Sequence, residues 1–166
     1  MLDAVPLAFA MERAPITPKG YAALKEELAR LKAEMPKISQ EIGVAREHGD
    51  LKENAEYHAA REKQGLTVAR IADIEDSIAR AEVIDPTQLS GETIKFGATV
   101  VLEDIDAGTE VTYQIVGKAE ADIKEGTISV TSPVARALIG REVGDEVKVN
   151  APGGTKTYEI VDVRWV

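Results

Sequence analysis

Apolar side chains recur along the first half of the chain at spacings that alternate between three and four: Tyr21, Leu24, Leu28, Leu31, Met35, Ile38, Ile42 and Ala45. Such a seam predicts a helix that buries one stripe against a partner helix. Thr17 followed by Pro18 supplies its start, a capping hydroxyl and then a ring whose missing N–H costs nothing in the first turn. Charged residues fill the outer positions, as in Lys25-Glu26-Glu27. Pro36 removes one backbone bond and bends the helix, but the seam continues across it, so one kinked helix is expected. From Asn54 a second seam fits: Tyr57, Ala60, Gln64, Thr67, Ile71, Ile74, Ile78 and Ala81. It should stop near Asp85-Pro86, because proline restricts the residue before it. Two seams of matching length, with only a few residues between them, predict an antiparallel coiled-coil hairpin over residues 15–86. At 1.5 Å per residue, about 30 residues make an arm of roughly 45 Å.

Beyond a linker at 87–95 the helical period disappears and a period of two replaces it. Residues 98–103 and 110–116 read as strands around an Asp106-Ala107-Gly108 turn, and 127–130 as a third short strand. Pro133 opens a short helix that Gly140 closes. Residues 146–149 and 157–163 form a hairpin across Pro152-Gly153-Gly154. The fold class is therefore α+β: a long N-terminal antiparallel helical hairpin, then a small antiparallel-sheet domain over 96–166. Residues 1–14 carry no periodic signal and read as an extension.

Composition narrows the function. Among 166 residues, 44% are apolar but only 4% aromatic, which suits a coiled coil and a small sheet better than a stacked ligand pocket. A net charge of −9 argues against a wholly electrostatic grip on nucleic acid. With no cysteine, disulfides, thiolate chemistry and Cys-based zinc sites are excluded. The segment Met1–Ala10 lacks a basic region and is interrupted by Pro6, so no signal peptide is expected. No run approaches the roughly 20 apolar residues of a membrane span. A soluble, cytoplasmic protein is the expectation.

The chemistry concentrates between the seams, at residues 48–54. Asp50 and Glu53 stand three residues apart with Lys52 between them, just after Gly49. One reading is a capping box for the second helix, where acids also favour the helix dipole. The other is a pair of hard oxygen ligands for Mg²⁺, which is commonly held by one or two carboxylates with phosphate and water completing six ligands. Two exposed acids cannot hold Mg²⁺ alone, so a partner and a phosphate would supply the rest. His48 and His58 flank the segment as a weaker metal signal. Arg46, Lys52, Arg61 and Lys63 crowd the same end; they serve either salt bridges on solvated faces or a small cationic patch for a nucleic-acid backbone.

The run Ala45-Arg46-Glu47-His48-Gly49-Asp50-Leu51-Lys52-Glu53-Asn54-Ala55-Glu56-Tyr57-His58-Ala59-Ala60-Arg61-Glu62 resembles the signature of bacterial transcript cleavage factors of the GreA/GreB family. Phe96–Val100, Ile128–Gly140 and Ala151–Gly154 support the likeness, which runs from about Met11 to the end. Met11 sits where the family usually begins, which makes residues 1–10 an extension or a misplaced start. The resemblance implies an FKBP-like C-terminal domain that docks on the rim of bacterial RNA polymerase, and a coiled coil that enters the secondary channel. It implies that Asp50 and Glu53 help hold the second catalytic Mg²⁺ while the polymerase hydrolyses a backtracked transcript. The protein would be no enzyme itself but an activator, monomeric and away from membranes. By the same resemblance Arg46, Lys52 and Arg61 lie near the nascent RNA 3′ end, and Thr131, Ser132 and Pro133 contact the polymerase. Thr131 stands where relatives often carry Asn or Asp. The intact segment and modest basic patch favour the short-fragment GreA kind over the more basic GreB kind. The competing readings are an inhibitory channel plug, which has no need of the acid pair, and a prolyl isomerase, for which few aromatics are available.

Overall fold

The computed structural model describes residues 12–49 and 54–166. The described residues divide into two compact units, one within residues 21–80 and the other formed by residues 12–20 together with 81–166.

The first unit holds most of α1 (Pro18–Arg46) and α2 (Ala55–Arg80). Both seams face inward. Leu24, Leu31, Ile38, Ile42 and Ala45 are buried on α1, as are Ala60, Thr67 and Ile74 on α2, and the remaining seam positions are half-buried. Helix α1 runs unbroken through Pro36. Ion pairs link the helices, Glu27 to Arg70, Lys32 to Glu75 at 3.9 Å and Glu41 to Lys63 at 3.6 Å, and the Asn54 bond to the Ala45 carbonyl sets the start of α2 beside the end of α1, an antiparallel arrangement. Arg70 grips Glu27 with two parallel bonds of 2.8 and 2.9 Å, the fork geometry that makes arginine pairs directional. No helix among the described residues is long and apolar enough to cross a membrane.

The second unit is built on a sheet of β3 (Thr99–Asp104), β4 (Thr109–Val116), β5 (Thr127–Ser129), β6 (Glu146–Ala151) and β7 (Gly154–Arg164), in the order β5-β4-β3-β7-β6. The short helix α3 (Pro133–Leu138) packs against it. Ala135 and Leu138 join Ile94, Val100, Leu102, Ile115, Val147, Tyr158 and Ile160 in one core. Strand alternation does the sorting: Val100 and Leu102 point inward with no exposure, while Glu103 between Leu102 and Asp104 faces out. Register then sets four glutamates side by side on the outer face. Glu110 of β4 opposes Glu103 of β3, Glu103 opposes Glu159 of β7, and Glu159 opposes Glu146 of β6.

Four expectations need correction. The second helix ends at Arg80, not near Asp85, because Ala81–Val83 (β2) pairs in parallel with Ala14–Ile16 (β1). The Ile84 N–H donates to the Ile16 carbonyl at 2.8 Å, so a tertiary ladder overrides a seam that could have continued. Ala14, expected in the extension, accordingly lies in a strand. Stretch 87–95 is not a simple linker, since Ile94 is fully buried and is bonded to Arg141 and Gly140 on either side. The sheet is not wholly antiparallel: β5 runs parallel to β4, because the intervening chain crosses over through a 3-10 turn at Ile123–Glu125 instead of making a hairpin.

Within this unit the start of α1 is anchored far along the chain. Thr17 Oγ1 accepts the Gly20 N–H at 3.1 Å, the expected cap. The Thr17 N–H donates to Glu120 Oε2 at 2.8 Å, and its hydroxyl donates to Glu120 Oε1. Glu120 also accepts the Gly117 N–H at 3.0 Å. A β-carbon on Gly117 would lie 2.5 Å from the Pro15 carbonyl oxygen, so only glycine admits this approach.

Candidate functional site

The last turn of α1 tightens as it ends. Glu47 N–H bonds to the Val44 carbonyl at 3.1 Å and His48 N–H to the Ala45 carbonyl at 3.2 Å, which satisfies carbonyls that an α-helix would leave open. Gly49 follows with φ of 125°, a conformation that a β-carbon would strain. Where the chain is next described, Asn54 caps α2: its Oδ1 accepts the Tyr57 N–H at 3.1 Å. The same side chain reaches back across the turn, and its Nδ2 donates to the Ala45 carbonyl at 2.5 Å. One amide thus serves both helix ends, and its two partners fix its orientation, because a flipped amide would set oxygen against oxygen.

The capping-box reading concerned Asp50 and Glu53. α2 begins at Ala55, and the capping position that the structure describes is held by Asn54. Asp50, Lys52 and Glu53 themselves lie outside the described residues.

Beneath the turn, Ile38, Ile42 and Ala60 form a small core with Met35 and Tyr57 against it. Arg46, the last residue of α1, holds its guanidinium 6.0 Å from the Tyr57 ring centre, at the limit of a cation–π contact. The His58 ring meets Tyr57 edge-on at 5.6 Å. Arg61 is exposed one turn further along α2, and its Nη1 donates to Gln64 at 3.4 Å. The structure therefore brings Arg46 and Tyr57 together at the end of the hairpin and leaves Arg61 on the solvent face beside them. Among the described residues, no group of three or more His, Cys, Asp or Glu side chains is placed to hold a metal ion. A metal at this end would rest on Asp50 and Glu53, whose hard oxygens suit Mg²⁺ but fill only part of its six-ligand shell.

Both halves of the chain match family models. Residues 14–83 match the N-terminal domain of transcription elongation factors, and residues 89–164 match the GreA/GreB C-terminal domain. The chain is 60% identical to transcription elongation factor GreA of Phenylobacterium zucineum over 157 residues, covering 94% of this chain and all of the relative. It is 59% identical to the GreA of Mesorhizobium japonicum over the same coverage. The chain belongs to the GreA/GreB family of transcription elongation factors.

Among solved structures, GreA factor homolog 1 of Thermus thermophilus matches with a TM-score of 0.43 at 29% identity, covering 92% of this chain and 99% of that one. In this GreA/GreB family member the C-terminal segment singled out from the sequence has a clear structural role. Ser132 caps α3 by accepting the Ala135 N–H at 3.2 Å, and Pro133 occupies the first helical position. The Thr131 hydroxyl shares a 2.8 Å bond with Ser129, which holds the approach to the helix. Thr131 and Pro133 remain exposed. The double role of Asn54 was missed in the sequence, although an Asn directly before an Ala-Glu helical start is a readable cap signal.

Proposed function

We propose that this protein binds bacterial RNA polymerase, enters its secondary channel with the helical hairpin, and stimulates hydrolysis of backtracked nascent RNA. It carries no reaction alone. Asp50 and Glu53 would complete the coordination of the polymerase's second Mg²⁺, an ion that on binding polarises phosphoryl oxygen and lowers the pKa of a bound water. Arg46, Lys52 and Arg61 would face the RNA 3′ end, and Thr131, Ser132 and Pro133 would meet the polymerase rim. The protein works as a cytoplasmic monomer, and release of short fragments is the favoured outcome.

The observation that supports this reading is the cap. An amide, Asn54, supplies the cap at the start of α2, and family membership supplies a use for the acid pair. The Arg46–Tyr57 contact adds a cation already held at the same end.

The test is a stalled, backtracked bacterial elongation complex with labelled RNA and Mg²⁺, comparing wild type with Asp50→Ala/Glu53→Ala and measuring polymerase binding in parallel. Cleavage stimulated by wild type alone, with both proteins bound, is expected. Equal stimulation by both would remove the metal role from the acids. Binding without stimulation by either would make the protein a plug.

A further inference from the structure

We propose that Asn54 is a positioning residue for the stimulated cleavage: its side chain staples the last turn of α1 to the first turn of α2, the two ends between which Asp50 and Glu53 lie in the sequence. This rests on the reading of Asp50 and Glu53 given above. The geometry is specific. Asn54 Oδ1 accepts the Tyr57 N–H at 3.1 Å while Nδ2 donates to the Ala45 carbonyl at 2.5 Å. Any good capping residue can make the first bond. Serine and aspartate cap as well as asparagine does, so capping alone does not call for an amide. The second bond needs a donor on a side chain long enough to cross the turn, which serine lacks in reach and aspartate lacks in chemistry.

Both anchor points are firm. Ala45 is buried, and its carbonyl already takes the His48 N–H at 3.2 Å. Tyr57, on the other side of the cap, packs on the Ile38–Ile42–Ala60 core. One side chain thus ties the Ala45 carbonyl to the cap of α2. Closing a segment in advance removes part of the ordering entropy that ligation of a metal by its side chains would otherwise cost. The staple acts before the partner is met, which is why its effect belongs to rate and metal demand and not to docking.

The experiment uses Asn54→Ser and Asn54→Asp in the full chain, beside wild type and Asp50→Ala/Glu53→Ala. Amide hydrogen exchange across residues 46–54 of the free protein reads the staple directly. Cleavage at saturating factor is measured against Mg²⁺ concentration, with polymerase affinity and melting temperature measured separately. Both Asn54 variants are expected to exchange faster over this segment, to keep wild-type polymerase affinity, and to lose about five-fold in stimulated cleavage, the worth of one hydrogen bond. Half-maximal Mg²⁺ should rise in both. Unchanged exchange overturns the staple. Faster exchange with a wild-type rate and Mg²⁺ profile, whatever the melting temperature, reduces Asn54 to a structural cap and overturns its positioning role. If wild type and the acid double variant cleave alike, the functional reading fails instead, and the exchange result still decides the staple.

Discussion

Replacing Glu159 by glutamine should stabilise the sheet unit. Glu159 stands directly between Glu103 and Glu146 on the outer face, with Glu110 beyond Glu103. None of the four has an ion-pair partner among the described residues, and Lys148 lies two residues further along β6, opposite Thr157. Paired strand residues stand about 5.5 Å apart at the backbone, and unit charges held at that spacing repel by roughly 0.75 kcal/mol in water. Screening over a Debye length of about 8 Å at physiological salt halves this to roughly 0.4 kcal/mol. Glu159 has two such neighbours, so Glu159→Gln relieves about 0.8 kcal/mol, a rise of roughly 3–6 °C in midpoint for a domain of this size. Trp165 is the only tryptophan in the chain, and its indole donates to the Gly91 carbonyl at 2.9 Å beside the core, so its fluorescence follows this unit specifically. Thermal melts at about 10 mM and 1 M salt complete the assay, because the Debye length falls from about 30 to 3 Å between them. The gain should be largest at low salt and vanish at high salt. Glu125→Gln, off the sheet, should change little. A lowered midpoint, or a gain indifferent to salt, would refute the repulsion argument.

Three further outcomes follow from the packing. Gly117→Ala should lower the stability of this unit, read from Trp165 melts, by about 1–3 kcal/mol, since its β-carbon would sit 2.5 Å from the Pro15 carbonyl oxygen and backbone must move. Ser132→Ala removes the α3 cap and should cost about 1 kcal/mol in the same melt. Hydrogen bonds from Arg70 hold the Glu27 carboxyl below its ordinary range. A lowered folded value means that this contribution is full above about pH 4.3, the ordinary glutamate value, and is lost as the pH falls through the lowered one. Acid titration of helix circular dichroism should therefore show less acid sensitivity in Glu27→Gln. The difference should stay within about 1 kcal/mol because both side chains are partly exposed.

The helices were legible because their information is local and repeated: eight seam positions on α1 and seven on α2 agree with one period, and Thr17-Pro18 marks a start that the structure keeps. Strand positions were legible for the same reason, each with its alternation and a glycine turn. What escaped the sequence was pairing. Nothing in Ala14-Pro15-Ile16 announces a strand until Ala81–Val83 lies beside it, and a three-residue strand is too short to carry a period. The glutamate row is invisible for a related reason, because each Glu is an unremarkable outward residue and only the register aligns them. At the candidate site the acid pair stood out by composition, yet spacing alone left it two readings, a capping box and a metal pair. The spacing of Asp50 and Glu53 matches a capping box, whereas the cap that the structure describes is Asn54.

The anchor at Thr17 also has a consequence for synthesis. Its bond to Glu120 spans 103 residues, whereas the seam contacts of the helices form between segments much closer in the chain. Emerging from the ribosome, α1 and α2 can pair while β1 still waits for Ala81–Val83. The donors of Thr17 then wait longer, until the segment after β4 has been made. Among the described residues, the earliest translated are thus among the last to be fixed in place.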